Sequence, residues 1–125
     1  MNRTRSILLA LGLMLALAAC SAATGGDATP LPDADVTVVA EDMKFDTDTL
    51  TLPAGQPFTL LLENRDGAPH NVAIYTDSSA SEELYVGETV SNGAIVYEID
   101  ALEPGTYYFR CDLHPDMNGT VVVEA

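Results

Sequence analysis

The sequence predicts an all-β domain, an antiparallel sandwich of about seven to eight short strands, and three observations predict it. From Val36 onward apolar residues recur with a period of two in short runs. Clusters of Gly, Pro, Asn and Asp separate the runs at the spacing of a sandwich or barrel. The region that carries them, residues 36–125, has room for one core that would bury a little over ~60% of its unfolded surface.

In chain order the strand candidates are Val36 to Ala40, Thr49 to Leu52, Phe58 to Asn64, His70 to Tyr75, Ala94 to Ile99, Gly105 to Cys111 and Thr120 to Ala125. Each is rich in β-branched or aromatic residues that suit a pleated, half-buried surface. The segments "PAGQP", "RDGAP", "SNG", "EPG" and "HPDMNG" punctuate them, and Gly105 and Gly119 read as turn formers. Parity assigns the faces: Phe58, Leu60 and Leu62 oppose Thr59 and Glu63, while Tyr107, Phe109 and Cys111 oppose Tyr108 and Arg110. Cys111 therefore points inward at a strand end. Thr76 to Glu88 lacks the alternation and reads as a loop, or as a short helix capped by Ser81 and running through Leu84.

Residues 1–19 stand apart from this pattern. Arg3 and Arg5 precede an apolar run, Ile7 to Ala19, that is short for a bilayer span and ends in small residues, which is the layout of an export signal. The run closes as Leu17-Ala18-Ala19-Cys20 and resembles the lipobox of bacterial lipoproteins, which implies cleavage before Cys20 and acylation of its thiol. The alternative is an ordinary signal peptide cleaved nearby, with Cys20 incidental. Several acyl chains hold a protein firmly where one is marginal. The expected product is lipid-anchored on the extracytoplasmic side of a bacterial membrane, at the cell surface or in the periplasm. Residues 20–35, the lipidated cysteine and a stretch of Gly, Ala, Ser, Thr, Pro and Asp, read as a flexible linker to the domain at 36–125.

Without Arg3 and Arg5, three basic residues (Lys44, Arg65, Arg110) face nineteen acidic ones, a formal charge of −16. Such a surface repels nucleic acid and anionic headgroups, and steers cationic proteins or metal cations toward itself in a salt-dependent way. General solubility is the plainer use of the same charge.

With Cys20 acylated, Cys111 has no disulfide partner. Its neighbours are soft donors: His114 follows three residues on, Met117 three beyond that, and His70 opens a strand after "NRDGAP". The spacing C-x2-H-x2-M sets a thiolate, an imidazole and a thioether on one tight turn, and His70 from a neighbouring strand end would complete the set. One thiolate, two imidazoles and a thioether make the ligand set of a trigonal copper site with a weak axial methionine. Thiolate and thioether suit Cu(I), and imidazole suits both oxidation states. Structural zinc asks for more cysteine or histidine and has no redox chemistry. Singly, each residue has a plainer use: His70 as a hydrogen-bonded strand end, His114 as a surface loop residue, Met117 as a core plug, Cys111 as a small buried apolar group.

The segments "APHNVAIY" and "GTYYFRCDLHPDMNGTVVV" resemble the cupredoxins, the small blue copper proteins of the plastocyanin and amicyanin type, and the resemblance spans nearly all of residues 36–125. It implies a Greek-key sandwich holding one mononuclear type 1 copper ion, with His70, Cys111 and His114 as equatorial ligands and Met117 as the axial one. It also implies that Asn71 donates its backbone N–H to the Cys111 sulfur and braces the ligand loop with its side chain. The implied role is electron transfer rather than enzymatic catalysis, since two histidines and one loop cysteine leave no ligands for further copper sites.

The implied partner is a transient redox protein, such as a basic c-type cytochrome or a respiratory complex, docking on an apolar patch around His114 formed by Leu113, Pro115, Ala68 and Pro69. One departure stands out: the position before the ligand cysteine, a surface aromatic in plastocyanins, is Arg110. Two other functions fit the same chain, an extracytoplasmic copper chaperone or scavenger and a metal-free adhesion or scaffold sandwich.

Overall fold

The computed structural model describes residues 29–125. The predicted signal segment 1–19, the lipidation site Cys20 and the linker as far as residue 28 lie outside the described residues. Among the described residues nine strands run in chain order: β1 (Val36–Glu41), β2 (Lys44–Phe45), β3 (Thr49–Pro53), β4 (Phe58–Asn64), β5 (Ala73–Tyr75), β6 (Glu83–Val86), β7 (Gly93–Ile99), β8 (Gly105–Arg110) and β9 (Asn118–Glu124). They form a four-stranded sheet in the order β2-β1-β4-β7 and a five-stranded sheet in the order β3-β9-β8-β5-β6. The expected β-sandwich is therefore present.

Most neighbouring pairs are antiparallel, as expected, but β1 runs parallel to β4 and β3 runs parallel to β9. The inward parity drawn from the sequence holds. Val38, Ala40, Leu60, Leu62 and Tyr97 of one sheet bury against Leu50, Leu52, Ile74, Phe109 and Val121 of the other. Burying a side chain such as Phe109 contributes about 1.5–3 kcal/mol, and Cys111 and Met117 belong to the same cluster.

Three local expectations change. Thr76 to Glu88 is neither loop nor helix throughout: its second half is the edge strand β6, paired with β5. The register shift between Ile74 and Tyr75 leaves Leu84 without a partner, and Leu84 and Val86, which share one parity, both face solvent while Tyr85 packs against the core, so the apolar residues lie on the outer face and do not mark a buried strand. The candidate strand His70 to Tyr75 is split into a single bridge, His70 with Val90, and then the short β5. Gly119 is not a turn former but a close approach within β9, where a Cβ would overlap the Asp48 carbonyl and the Phe109 ring.

The entry to the domain and its first hairpin are both fixed by local contacts. The linker ends in a held residue, because the Asp35 carboxylate accepts the Thr59 N–H at 2.8 Å while Thr59 Oγ1 accepts the Asp35 N–H at 3.0 Å. The β1–β2 hairpin turns through Asp42 and Met43, both in the left-handed region at φ 53° and 60°. That backbone is costly for residues with a Cβ, roughly 1–2 kcal/mol each, and it matches the twist of a two-residue hairpin.

Candidate metal centre

Two loops at one end of the sandwich bring the sequence-predicted donors together. The first runs from the end of β4 to β5 and is organised by Asn64, a buried polar residue with 2% exposure. Its Nδ2 donates to the carbonyls of Ala68 (2.8 Å) and Val90 (2.7 Å), and its Oδ1 accepts the Asp66 N–H (2.8 Å). Reciprocal backbone bonds between His70 and Val90, 2.9 and 3.0 Å, then fix the histidine backbone. The second loop leaves β8 at Cys111. The His114 N–H donates to the Cys111 carbonyl (3.2 Å), Met117 N–H to His114 (2.8 Å) and Cys111 N–H to Met117 (2.9 Å), so each three-residue step of the C-x2-H-x2-M spacing closes one turn.

The side chains converge as a result. His70 Nδ1 lies 3.1 Å from His114 Nδ1, and the Cys111 sulfur lies 3.7 Å and 3.6 Å from those two nitrogens. A triangle with these sides has its centre about 2 Å from each corner, the range of first-row metal bonds to imidazole nitrogen and close to the thiolate bond. Three neutral or anionic donors pointed at one spot fit a thiophilic divalent or monovalent ion. His70 and Cys111 are fully buried, whereas His114 is half-buried. Met117 is buried beside them at 3% exposure.

Asp66 sets the His70 tautomer. His70 Nε2 stands 2.9 Å from Asp66 Oδ2, and a carboxylate can only accept, so the ring proton sits on Nε2 and the Nδ1 lone pair faces the sulfur and the other histidine. The hydrogen bond from His70, with the N–H groups of Met43 and Asp42, holds the Asp66 carboxyl below the ordinary carboxylate range.

Asn71 braces both loops with its side chain: Nδ2 donates to the Gly87 carbonyl (3.0 Å) and Oδ1 accepts the Asp112 N–H (2.8 Å). The Cys111 sulfur faces the Nδ1 atoms of both imidazoles.

Sequence reasoning missed Asn64, Asp66, Tyr75 and Asp112. The Tyr75 hydroxyl donates to Asp112 Oδ1 (2.6 Å), Arg110 Nε donates to the same oxygen (2.9 Å), and the guanidinium lies 4.9 Å from the centre of the Tyr75 ring. Burial, then the Asp112 carboxylate, raise the Tyr75 phenol. Arg110 therefore covers an aromatic contributed by the adjacent strand. Asp66 carried one signal, an acidic residue four positions before a loop histidine, too common by itself to single out.

Around His114 the surface is apolar: Leu113 is 45% exposed, Pro115 and Pro69 are exposed, and Ala68 is half-buried.

A family model described as a cupredoxin-like domain matches residues 7–123. Amicyanin from Paracoccus versutus is 35% identical over 97 residues, which cover 78% of this chain and 70% of the relative. Amicyanin-alpha from Methylorubrum extorquens is 33% identical over 121 residues, covering 92% of this chain and 98% of the relative. A solved structure of a reduced Cu(I) form of an amicyanin variant superposes with a TM-score of 0.58 at 30% identity, over 75% of this chain and 86% of that one.

Proposed function

The chain belongs to the cupredoxin-like family of blue copper electron carriers, and from that premise we propose that it holds one type 1 copper ion on His70, Cys111, His114 and Met117 and exchanges single electrons with a docked redox protein. The observation that carries this reading is the triangle of two Nδ1 atoms and one sulfur, with sides of 3.1 to 3.7 Å, on a buried and hydrogen-bonded support. When bound, copper supplies a one-electron Cu(II)/Cu(I) couple that no side chain here could supply.

The protein's own residues do the rest. Asp66 and Asn71 hold the two ligand loops so that a change of charge at the centre calls for little movement. Full burial of Cys111 and His70 keeps water from the thiolate. His114 alone of the three converging donors reaches the surface, among Leu113, Pro115 and Pro69, a small apolar area suited to weak and transient docking. The acidic surface favours a basic partner such as a c-type cytochrome. Acylation of Cys20 would tether the domain to the extracytoplasmic face of a bacterial membrane, through the linker that ends at Asp35.

Titrating Cu(II) into the purified domain is expected to give an intense blue thiolate-to-copper band that saturates at one equivalent. The reduced protein should then pass electrons to a basic cytochrome at a rate that falls with ionic strength. A colourless, weakly held copper would sink the type 1 site; a blue protein that exchanges electrons with no partner would favour copper handling over transfer. For Met117→Leu, redox titration should show the blue colour retained and the midpoint potential raised, since removing a weak axial donor destabilises Cu(II). An unchanged potential would mean that Met117 only packs.

A further inference from the structure

Asp66 contributes to no strand and offers no atom to the donor triangle, yet its carboxylate collects three hydrogen bonds from two separate places. Oδ1 accepts the Asp42 N–H at 2.9 Å, and Oδ2 accepts both the Met43 N–H at 3.1 Å and His70 Nε2–H at 2.9 Å. Asp42 and Met43 are the two left-handed residues of the β1–β2 turn, and that hairpin is closed by only two residue pairs, Ala40 with Phe45 and Glu41 with Lys44. The Asp66 backbone is held independently, its N–H by Asn64 and its carbonyl by the Asn92 N–H at 3.0 Å. Among the described residues the side chain is thus the sole hydrogen-bonded link from the His70 ring to the hairpin tip, where Met43 stands 45% exposed.

We infer that Asp66 is a positioning residue that couples the His70 imidazole to the tip of the β1–β2 hairpin, so that the ring's Nε2–H tautomer and the left-handed Asp42–Met43 turn are held or lost together. The physical reason is that one oxygen serves both. If the turn relaxes, Oδ2 shifts with it, and the fully buried Nε2–H loses its acceptor. The ring then gains by moving its proton to Nδ1, where the Cys111 sulfur and His114 can accept it, and that tautomer cannot offer a lone pair to a metal from Nδ1. If the carboxylate is removed, two turn amides lose their acceptor at a site that already carries backbone strain. A contact or substitution at exposed Met43 therefore reaches a buried imidazole without touching it. The inference concerns the metal-free protein, so it stands or falls separately from the copper reading.

The test is nitrogen NMR of the imidazoles, with amide and ring N–H exchange, on metal-free protein at one neutral pH. Wild type should show His70 as the Nε2–H tautomer with a slowly exchanging ring proton. In Asp66→Asn that proton should lose protection, the Nδ1–H form should appear, and the amides of Asp42 and Met43 should exchange at least about ten-fold faster, the equivalent of one lost hydrogen bond. Met43→Pro attacks from the other end, removing the amide and forbidding positive φ; it should also expose the His70 ring proton to exchange, while β4 and β7 amides stay protected. Met43→Gly removes the Cβ penalty at the left-handed position, which stabilises the turn in its native geometry, and should slow exchange of the same ring proton. His70 keeping its tautomer and wild-type protection in Asp66→Asn, or ring-proton exchange unmoved in Met43→Gly, would overturn the coupling.

Discussion

Replacing Cys111 by serine is expected to leave a folded protein that binds copper without colour. The substitution exchanges a sulfur for an oxygen inside a fully buried pocket, where the hydroxyl has the two Nδ1 atoms within reach as hydrogen-bond partners, as the sulfur does now at 3.7 and 3.6 Å. The stability cost is then about 1–2 kcal/mol, within what burial of a satisfied hydroxyl demands. The effect on the metal is total. Serine remains protonated at neutral pH, so the anionic donor disappears, and with it the charge-transfer band that only a thiolate gives. The remaining two imidazoles and a thioether are a poor set for Cu(II). Absorbance with Cu(II) and circular dichroism without it separate the two consequences: an unfolded variant would void the comparison of sites, and a variant that stays blue would show that Cys111 is not the ligand.

Asn64→Ala is expected to damage both the fold and the metal centre. It removes three hydrogen bonds from a residue with 2% exposure, at 2.7 and 2.8 Å, and leaves the Asp66 amide and the Ala68 carbonyl to find other partners. At roughly 1–3 kcal/mol for a buried group left unpaired, the loss should reach about 3 kcal/mol. That is a large part of the ~5–15 kcal/mol that holds such a domain together, and it corresponds to a drop of more than about 10 °C in melting temperature. Because the same residue closes the loop that presents Asp66 and His70, copper affinity should fall as well, by ~10–100-fold, as when the outer support of a metal ligand is removed. Denaturant titration and copper competition measure the two. A loss below about 1 kcal/mol with unchanged affinity would mean that water takes over the role of the side chain.

These two residues also show what the sequence made legible. Cys111 was readable because its signal is local: strand parity aims it inward, and the spacing to His114 and Met117 lies on one turn. His70 was readable because its strand-end position next to "RDGAP" matches a known motif. Asn64 was seen only as the last residue of a strand, since its three partners at positions 66, 68 and 90 are defined by the fold and by no pattern in the chain. The same holds for Asp66, whose carboxylate oxygens face a turn more than twenty residues earlier. Strand β6 was hidden because it is a short edge strand whose Leu84 and Val86 face solvent, so its apolar residues do not mark a core face. The parallel pairing of β1 with β4 and of β3 with β9 was hidden because period-two patterning gives the face of a strand and says nothing about its neighbour or direction.

The place of β9 has a kinetic consequence. It lies between β3 and β8, so residues 49–53 wait for residues 120–124 before β3 joins the rest of that sheet. Pairings so far apart in the chain are slow to find each other, and sandwiches dominated by them fold in milliseconds to seconds rather than microseconds. The loop from Cys111 to Met117 leads directly into this last strand. The second loop of the metal centre is therefore anchored at its far end by the same event that joins β3 to the sheet.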